Sequence, residues 1–488
     1  MSLTPTLNTL FDSLASQVRG RVIRPDDPDY DPARKVAAGH VDRRPAAIVR
    51  VAGADDIATV IAVARESSLP LAVLSGGHSG EGHGVVDDGI VIDLRDMKAM
   101  EIDVAGRTGW FETGLTAGEV TRALAEHGLA VGFGDTGSVG IGGITLGGGA
   151  GYLVRKHGLT IDSLLAAEIV TADGQLRLVD AEHEPDLFWA IRGGGGNFGV
   201  ATRFRFRLVE LPSFVGGMLV LPASAEVVQG FMAAAEAAPE ELSAIVNVMP
   251  CPPLPFVAPE HHGTTVIFAF LGFAGETEAG QRALAPFRAL TTPHADLTRP
   301  MAYPEMYPPE EGEGPGFAVT GRSLFIDHVD RAAAETIVAA MDRLDAPLRA
   351  VQLRVVDGAA ARVPADATAY AHRSNRIMAI VVASYASLEE RPSRQAWVEG
   401  VAGAIDQGLT GIYVNFLSGE GPERIRAAYP GATFDRLAAI KARYDPANLF
   451  RSNENIPPAR PSRPSRDSVK RPCHGHKAPP PGLRRARR

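Results

Sequence analysis

The chain has 488 residues, 45% hydrophobic and 22% charged, with only two cysteines, Cys251 and Cys473, which excludes a mini-domain, a disulfide scaffold and a chain too polar to build a core. Its formal charge of −8 is unevenly placed: residues 459–488 hold ten Lys/Arg against Asp467, a local +9, and the remainder sums to −17. The basic stretch reads as a solvated extension rather than a surface for weak binding of nucleic acid or another acidic partner, so no specific nucleic-acid partner is expected. No leader or run of about 18 apolar residues is visible, and the thiol content fits a reducing compartment, so we expect a cytoplasmic protein without a membrane span.

From residue 46 the elements alternate. Ala46 to Val51 reads as a strand, and Ala54 to Arg65 as a helix with Ile57, Val60, Ile61 and Ala64 on one face. Leu71–Leu74 and Ile90–Leu94 read as strands. Thr116 to His127 reads as a helix opened by a Thr116/Glu119 capping box. A hairpin over 166–171 and 175–179 turns at Asp173-Gly174, 186–191 is a short helix, and Val200 to Leu208 alternates as a half-buried strand. Beyond Pro212 the texture changes to Ala-rich helices (223–237, 331–346, 394–407) and strands (264–272, 317–326, 376–385), with a surface loop expected at 303–316. A strand at 411–417 and a helix at 433–443 follow. The Pro-rich basic stretch 459–488 is expected to be disordered, and its Cys473-His474-Gly475-His476 tract makes a poor metal site, so no metal is assigned.

Glycine is the informative residue. There are 52, and ten of the twenty positions from Gly132 to Gly151 are glycine. Two further knots stand at Ser75–Gly82 and Gly193–Gly199. The string Gly132-x-Gly134-x-x-Gly137 follows a helix rather than a strand and lacks a later acidic partner, which argues against a nicotinamide-dinucleotide site. P-loop, nucleophile-elbow and zincin patterns are absent from the sequence. Three dense clusters far apart point instead to one long phosphate-bearing ligand held by bare backbone.

The segments Leu71–Ser79, Gly137–Asp162, Asp186–Val200, Tyr413-Val-Asn415 and Tyr444–Phe450 together resemble FAD-linked oxidases of the vanillyl-alcohol oxidase superfamily, berberine-bridge-enzyme-like branch. The likeness covers about residues 30–458. It implies an α+β fold: a two-part FAD-binding domain of the PCMH type, residues 1–211 plus 409–458, and an inserted α/β substrate domain, 212–408, built on an antiparallel sheet above the flavin. By the same resemblance FAD is seated by Ser75, Gly76, Gly77, His78, Ser79, Gly82, Thr136, Gly137, Ser138, Gly140, Gly143, Gly148, Tyr152, Gly199, Val200 and Asn415. His78 would carry a covalent link to the flavin 8α-methyl. Many relatives have a second link from a cysteine where this chain has Thr136, so a single link is expected. Leu74 stands where the family has an arginine, and Ala38 where it has an asparagine.

The expected reaction is hydride transfer from a small-molecule alcohol, sugar, alkaloid or related donor to flavin N5, with dioxygen as acceptor. Tyr413 is the candidate base, with Tyr370 and His372 as alternatives. A dehydrogenase with another electron acceptor would share every motif, and an idle flavin-binding module is the remaining alternative. The sequence does not specify an oligomeric state.

Overall fold

The computed structural model describes residues 5–307, 318–417, 421–460 and 482; most of the basic tail and its Cys473-His474-Gly475-His476 tract lie outside them. Three strands, Ala47–Arg50, Ile90–Asp93 and Leu71–Leu74, pair in parallel with Ile90–Asp93 in the middle, and Arg21–Ile23 adds an antiparallel edge. The crossover helix Ala54–Ser67 buries Ile57, Val60, Ile61 and Ala64 on this sheet. Its buried Asp56 accepts from the backbone N–H groups of Arg19, Gly20 and Ala52, tying the N-terminal strand to the helix.

A second, antiparallel sheet runs Met100–Asp103, Thr108–Glu112, Val200–Arg207, Leu164–Val170, Leu176–Asp180. Alternation sets its faces: Phe204 and Phe206 are fully buried, whereas Arg203 turns outward to Glu168, Glu101 and the Trp110 ring. Both halves of the Thr116/Glu119 capping box form at helix Ala117–Ala125.

An eight-stranded antiparallel sheet is drawn from residues 215–385, in the order Ala295–Asp296, Val215–Pro222, Thr265–Phe273, Leu242–Pro250, Arg349–Val355, Ile377–Tyr385, Ala318–Ile326, with Arg299–Pro300 also on Val215–Pro222. One face carries Leu242, Ala244, Val246, Ile267, Leu353 and Ala379 against helices Ala225–Ala237, Thr277–Arg288, Arg331–Met341 and Arg391–Ile405. The opposite face presents the alternate residues. Register aligns Phe270, Ile245, Arg354, Met378 and Phe325 in one row across five strands, and Phe268, Asn247, Gln352, Ile380 and Ser323 in the next.

Three local expectations need correction. Residues 411–417 form no strand: Gly411 lies at φ +122° and Val414–Phe416 is a 3-10 turn, closed by Phe416 N–H to Tyr413 C=O. Residues 303–307 are not surface loop, because Tyr303, Met306 and Tyr307 are buried against Phe214 and Tyr152; the remainder of 303–316 lies outside the described residues. The helix expected to reach residue 346 stops at Met341, where the Arg349 guanidinium takes the Met341 and Ala346 carbonyls ahead of Pro347. Among the described residues no helix is long and apolar enough to cross a membrane.

Candidate active site

The three glycine knots converge. The turn after Leu71–Leu74 and the turn entering helix Ile141–Gly147 touch backbone to backbone: a Cβ on Gly76 would stand 2.1 Å from Gly140 N, and one on Gly140 2.2 Å from Gly76 N. Each glycine is required by the other. Ser75 Oγ donates to Thr113 C=O at 2.6 Å, and His78 Nε2 lies 2.8 Å from Ser138 Oγ. Leu74, in place of the family arginine, fills apolar space beneath Gly77 and Gly84.

These turns, the Gly195–Gly199 turn and the segment 450–454 enclose a cavity of about 390 Å³. Its far wall is braced by a fully buried ion pair. Lys441 Nζ donates to Asp445 Oδ2 and Asn197 C=O, each at 2.6 Å, and to Phe450 C=O at 2.8 Å. Asn197 in turn bonds Gly194 and Glu454 carbonyls and the Ile456 N–H.

The structure brings Ser75, Gly76, Gly77, His78, Ser79, Thr136, Gly140, Gly143, Gly199, Val200, Tyr413 and Asn415 to the cavity wall. Ser138 stands behind His78. Gly82 packs on Val41, Gly137 on Tyr307, and Gly148 on the Tyr413 ring. Tyr152 is buried, its hydroxyl donating to Asp135 C=O at 3.3 Å.

The three tyrosine and histidine candidates separate. Tyr413 lines the cavity, and its hydroxyl oxygen accepts from Gly149 N–H at 2.7 Å and Asn415 Nδ2 at 2.9 Å. Burial raises its pKa above the ordinary tyrosine value, while these two donors and the Arg354 charge pull it down and Asp135 opposes them. The contact depends on glycine: a Cβ at Gly147 would meet Asn415 Oδ1 at 1.9 Å, and Gly149 sits at φ +78°. Tyr370 is buried behind Tyr413, edge-on at 6.1 Å between ring centroids, with Arg373 over its own ring and its pKa raised by burial. His372 lies outside the cavity wall and is occupied, with Nε2 donating to Ala428 C=O at 2.8 Å.

Sequence reasoning missed Arg354, Asp135, His83, Tyr429 and Asn453, all at the cavity wall. Arg354 reaches down from the eight-stranded sheet to Asp135 Oδ2 (2.6 Å) and Ala150 C=O (3.0 Å), and donates twice to Gln352 Oε1; Gln352 Nε2 donates onward to Asn247 Oδ1. Two polar residues at alternate positions, Gln352 and Arg354, within the strand Arg349–Val355 were the available signal. His83 has its pKa pushed down to about 4 by burial and then by the Arg43 charge, so its imidazole is neutral. The Tyr429 hydroxyl and the Asn453 amide oxygen are buried with no partner among the described residues. Polar atoms left open in a glycine-walled cavity fit a long ligand bearing N–H, O–H and phosphate groups, as a flavin dinucleotide does.

A family model for an FAD binding domain matches residues 45–180, and one described as berberine and berberine like matches 412–457. An uncharacterized FAD-linked oxidoreductase of Bacillus subtilis is 32% identical over 466 residues, covering 91% of this chain and 100% of that protein. The (R)-6-hydroxynicotine oxidase of Paenarthrobacter nicotinovorans is 29% identical over 451 residues, covering 90% and 97%. The crystal structure of 6-hydroxy-D-nicotine oxidase from Arthrobacter nicotinovorans superposes with a TM-score of 0.79 at 27% identity, covering 93% of this chain and 99% of that one. With the glycine-walled cavity, its open polar atoms and these full-length likenesses together, the chain belongs to the berberine-bridge-enzyme-like family of FAD-linked oxidoreductases, with their PCMH-type α+β fold.

Proposed function

We propose that this enzyme oxidises a small-molecule alcohol or amine with Tyr413 as general base and dioxygen as terminal acceptor, yielding hydrogen peroxide. The observation that carries the reading is the Tyr413 hydroxyl at the cavity wall, accepting two hydrogen bonds at 2.7 and 2.9 Å. Donors directed at a phenol oxygen stabilise its phenolate form, and the nearby Arg354 guanidinium favours the same state. Bound FAD supplies the hydride acceptor and the route of electrons to dioxygen. Tyr413 takes the O–H or N–H proton of the donor, Asn415 and Gly149 hold the phenol oxygen in place, and Arg354 with Asp135 sets the charge beside it.

Residues 212–408 serve as the substrate domain in this reading, with residues 1–211 and 409–458 as the FAD-binding part. Of the row Phe270, Ile245, Arg354, Met378 and Phe325 only Arg354 lines the cavity, while Ile245, Met378 and Phe325 are buried in the core; a ring-bearing donor is proposed from likeness to the related oxidase of hydroxylated nicotine. His78, its Nε2 held by Ser138, is the proposed site of one covalent link to the flavin, and the Thr136 hydroxyl cannot form the thioether of a second.

Anaerobic flavin bleaching against a panel of cyclic amines, aromatic alcohols and sugars tests the reaction. The expected result is bleaching by a ring-bearing donor, lost by at least about a hundredfold in Tyr413→Phe, in keeping with the usual worth of a general base; undiminished bleaching in that variant refutes the assignment. Flavin that leaves the protein on acid precipitation refutes the His78 link, and a peptide carrying flavin on two residues refutes the single link.

A further inference from the structure

Arg354 is a buried cation held from two sides. From the glycine-rich segment it meets Asp135 Oδ2 at 2.6 Å and Ala150 C=O at 3.0 Å. From its own sheet its one partner among the described residues is Gln352 Oε1, which accepts from Nε at 2.8 Å and from Nη2 at 2.6 Å. Two of the four hydrogen bonds made by this guanidinium, in a residue only 5% exposed, therefore end on a single neutral oxygen. A guanidinium is planar, and two of its donors converging on one acceptor fix the direction of that edge as well as the place of the charge.

Gln352 is held in turn by Asn247, directly opposite it on the neighbouring strand. Gln352 Nε2 donates to Asn247 Oδ1 at 2.9 Å, and Asn247 Nδ2 donates to Phe268 C=O at 3.2 Å. The sense of this chain is determined at both ends, because the Phe268 carbonyl can only accept and the Arg354 guanidinium can only donate. Turning either amide over would set oxygen against oxygen or an NH2 group against a cation. The chain thus runs in one direction across three strands, from a backbone carbonyl to a charge at the cavity wall. The strand positions themselves do not call for amides. Phe268 and Ile380 flank the pair in its row, and Ile245 and Met249 are the neighbours of Asn247 on the same face of its strand. Asparagine is depleted in strands, and an aliphatic pair would pack here with no polar group to satisfy. What such a pair could not supply is an acceptor for Arg354.

We propose that Gln352 and Asn247 are positioning residues for the oxidation: Gln352 holds the Arg354 guanidinium in its orientation beside Tyr413, and Asn247 acts solely by keeping the Gln352 oxygen turned toward Arg354. The inference rests on Tyr413 as the base. Among the described residues, the charged and titratable groups facing that tyrosine are Arg354 from the sheet, Asp135 from the glycine-rich segment and Tyr370 behind it. Arg354 is the one cation among them and favours the phenolate, so its orientation bears on the proton that Tyr413 takes.

Two measurements on the FAD-loaded enzyme test the proposal. Solvent exchange of the Arg354 Nε–H, read by NMR in arginine-labelled protein and assigned by its loss in Arg354→Lys, reports the hold on the guanidinium without reference to catalysis. The pH limb of anaerobic flavin reduction reports the effect on the base. Gln352→Leu should speed exchange by about tenfold or more, the factor of one hydrogen bond to a charged group, and move the limb up by about half to one unit, slowing reduction roughly 3- to 10-fold below it. Asn247→Leu should move both in the same direction by less. The Asn247→Leu/Gln352→Leu variant should match Gln352→Leu, because Asn247 has no other route to Arg354. Gln352→Glu, whose carboxylate still accepts from Nε and Nη2, should keep exchange slow while its charge offsets the guanidinium and raises the limb. Unchanged exchange in Gln352→Leu, or additive effects in the double variant, overturns the positioning role. Faster exchange with the limb in place, where Tyr413→Phe does lose bleaching, overturns the link from Arg354 to the base. Undiminished bleaching in Tyr413→Phe refutes the base itself, and the exchange rates then decide the hold on Arg354 alone.

Discussion

Replacing Asn415 by alanine removes one of the two hydrogen bonds to the Tyr413 oxygen, the 2.9 Å contact from Nδ2, and leaves the 2.7 Å contact from Gly149 N–H. The sign follows from which form the bond favours. Both donors point at the phenol oxygen and so stabilise the deprotonated state; burial already holds Tyr413 above the ordinary tyrosine value, and losing a donor raises it further. A hydrogen bond to a charged acceptor is worth about 1.5–3 kcal/mol. At 1.36 kcal/mol per pKa unit that is an upward shift of roughly one to two units. The rate of flavin reduction, followed by stopped flow without oxygen, should rise with pH along a limb set by Tyr413. In Asn415→Ala that limb should move up by the same one to two units, slowing reduction about 10- to 100-fold at any pH below it. The high-pH plateau should be retained. FAD content is measured in parallel, because Asn415 also lines the glycine-walled cavity proposed to hold it. A limb that stays in place while the plateau falls, at full FAD content, refutes the reasoning and makes Asn415 a cofactor seat rather than a partner of the base.

Gly147→Ala places a Cβ 1.9 Å from Asn415 Oδ1, so Asn415 must move and Tyr413 with it; a displacement of about 1 Å is expected to cost roughly a hundredfold in flavin reduction, measured by the same stopped-flow assay. Lys441→Met strands the Asp445 carboxylate in a site where both side chains are fully buried, and should destabilise the protein by about 3–5 kcal/mol in urea denaturation, with weaker FAD retention because Asn197 and Phe450 lose their brace. His83 and His157 are both pushed down to about 4 by burial, with Arg43 and Lys156 respectively adding to the shift. The unfolded chain takes up their protons near the ordinary histidine value, so the stability they contribute is present above about pH 6.5 and is lost as pH falls toward 4. Denaturation midpoints should therefore drop between pH 7 and pH 5, and the drop should shrink in His83→Gln/His157→Gln.

What was legible in the sequence was local. The Thr116/Glu119 capping box, the Asp173-Gly174 turn and the alternation of Phe204 and Phe206 with arginines each declare themselves within a few residues, and each forms as expected. The glycine clusters were legible for another reason: backbone contact tolerates no side chain, so the requirement at Gly76 and Gly140 is written at both ends even though the contact joins distant segments. Tyr413 and Asn415 were singled out as candidates, and the structure sets both at the cavity wall, but not in the expected strand. A run such as Gly411–Leu417 has strand composition, yet it folds into a turn that sets Asn415 against Gly147 and the Tyr413 hydroxyl on Gly149 N–H.

Arg354 shows why the chemistry was harder to read than the cofactor. Its partner Asp135 is 219 residues away, and nothing near either residue announces the other. Each alone has an ordinary explanation, one as a charge on a strand, the other as a loop carboxylate. Paired, they join the eight-stranded sheet to the glycine-walled cavity and place opposite charges beside Tyr413, where they act on its proton with opposite sign. Breaking such a pair from either side leaves a charge behind, so Arg354→Met and Asp135→Asn should both weaken the joint while displacing the Tyr413 limb in opposite directions, upward and downward. Loss of packing alone would move both the same way or neither, which makes the pair of variants the sharper measure of whether the sheet only covers the flavin or also sets the base.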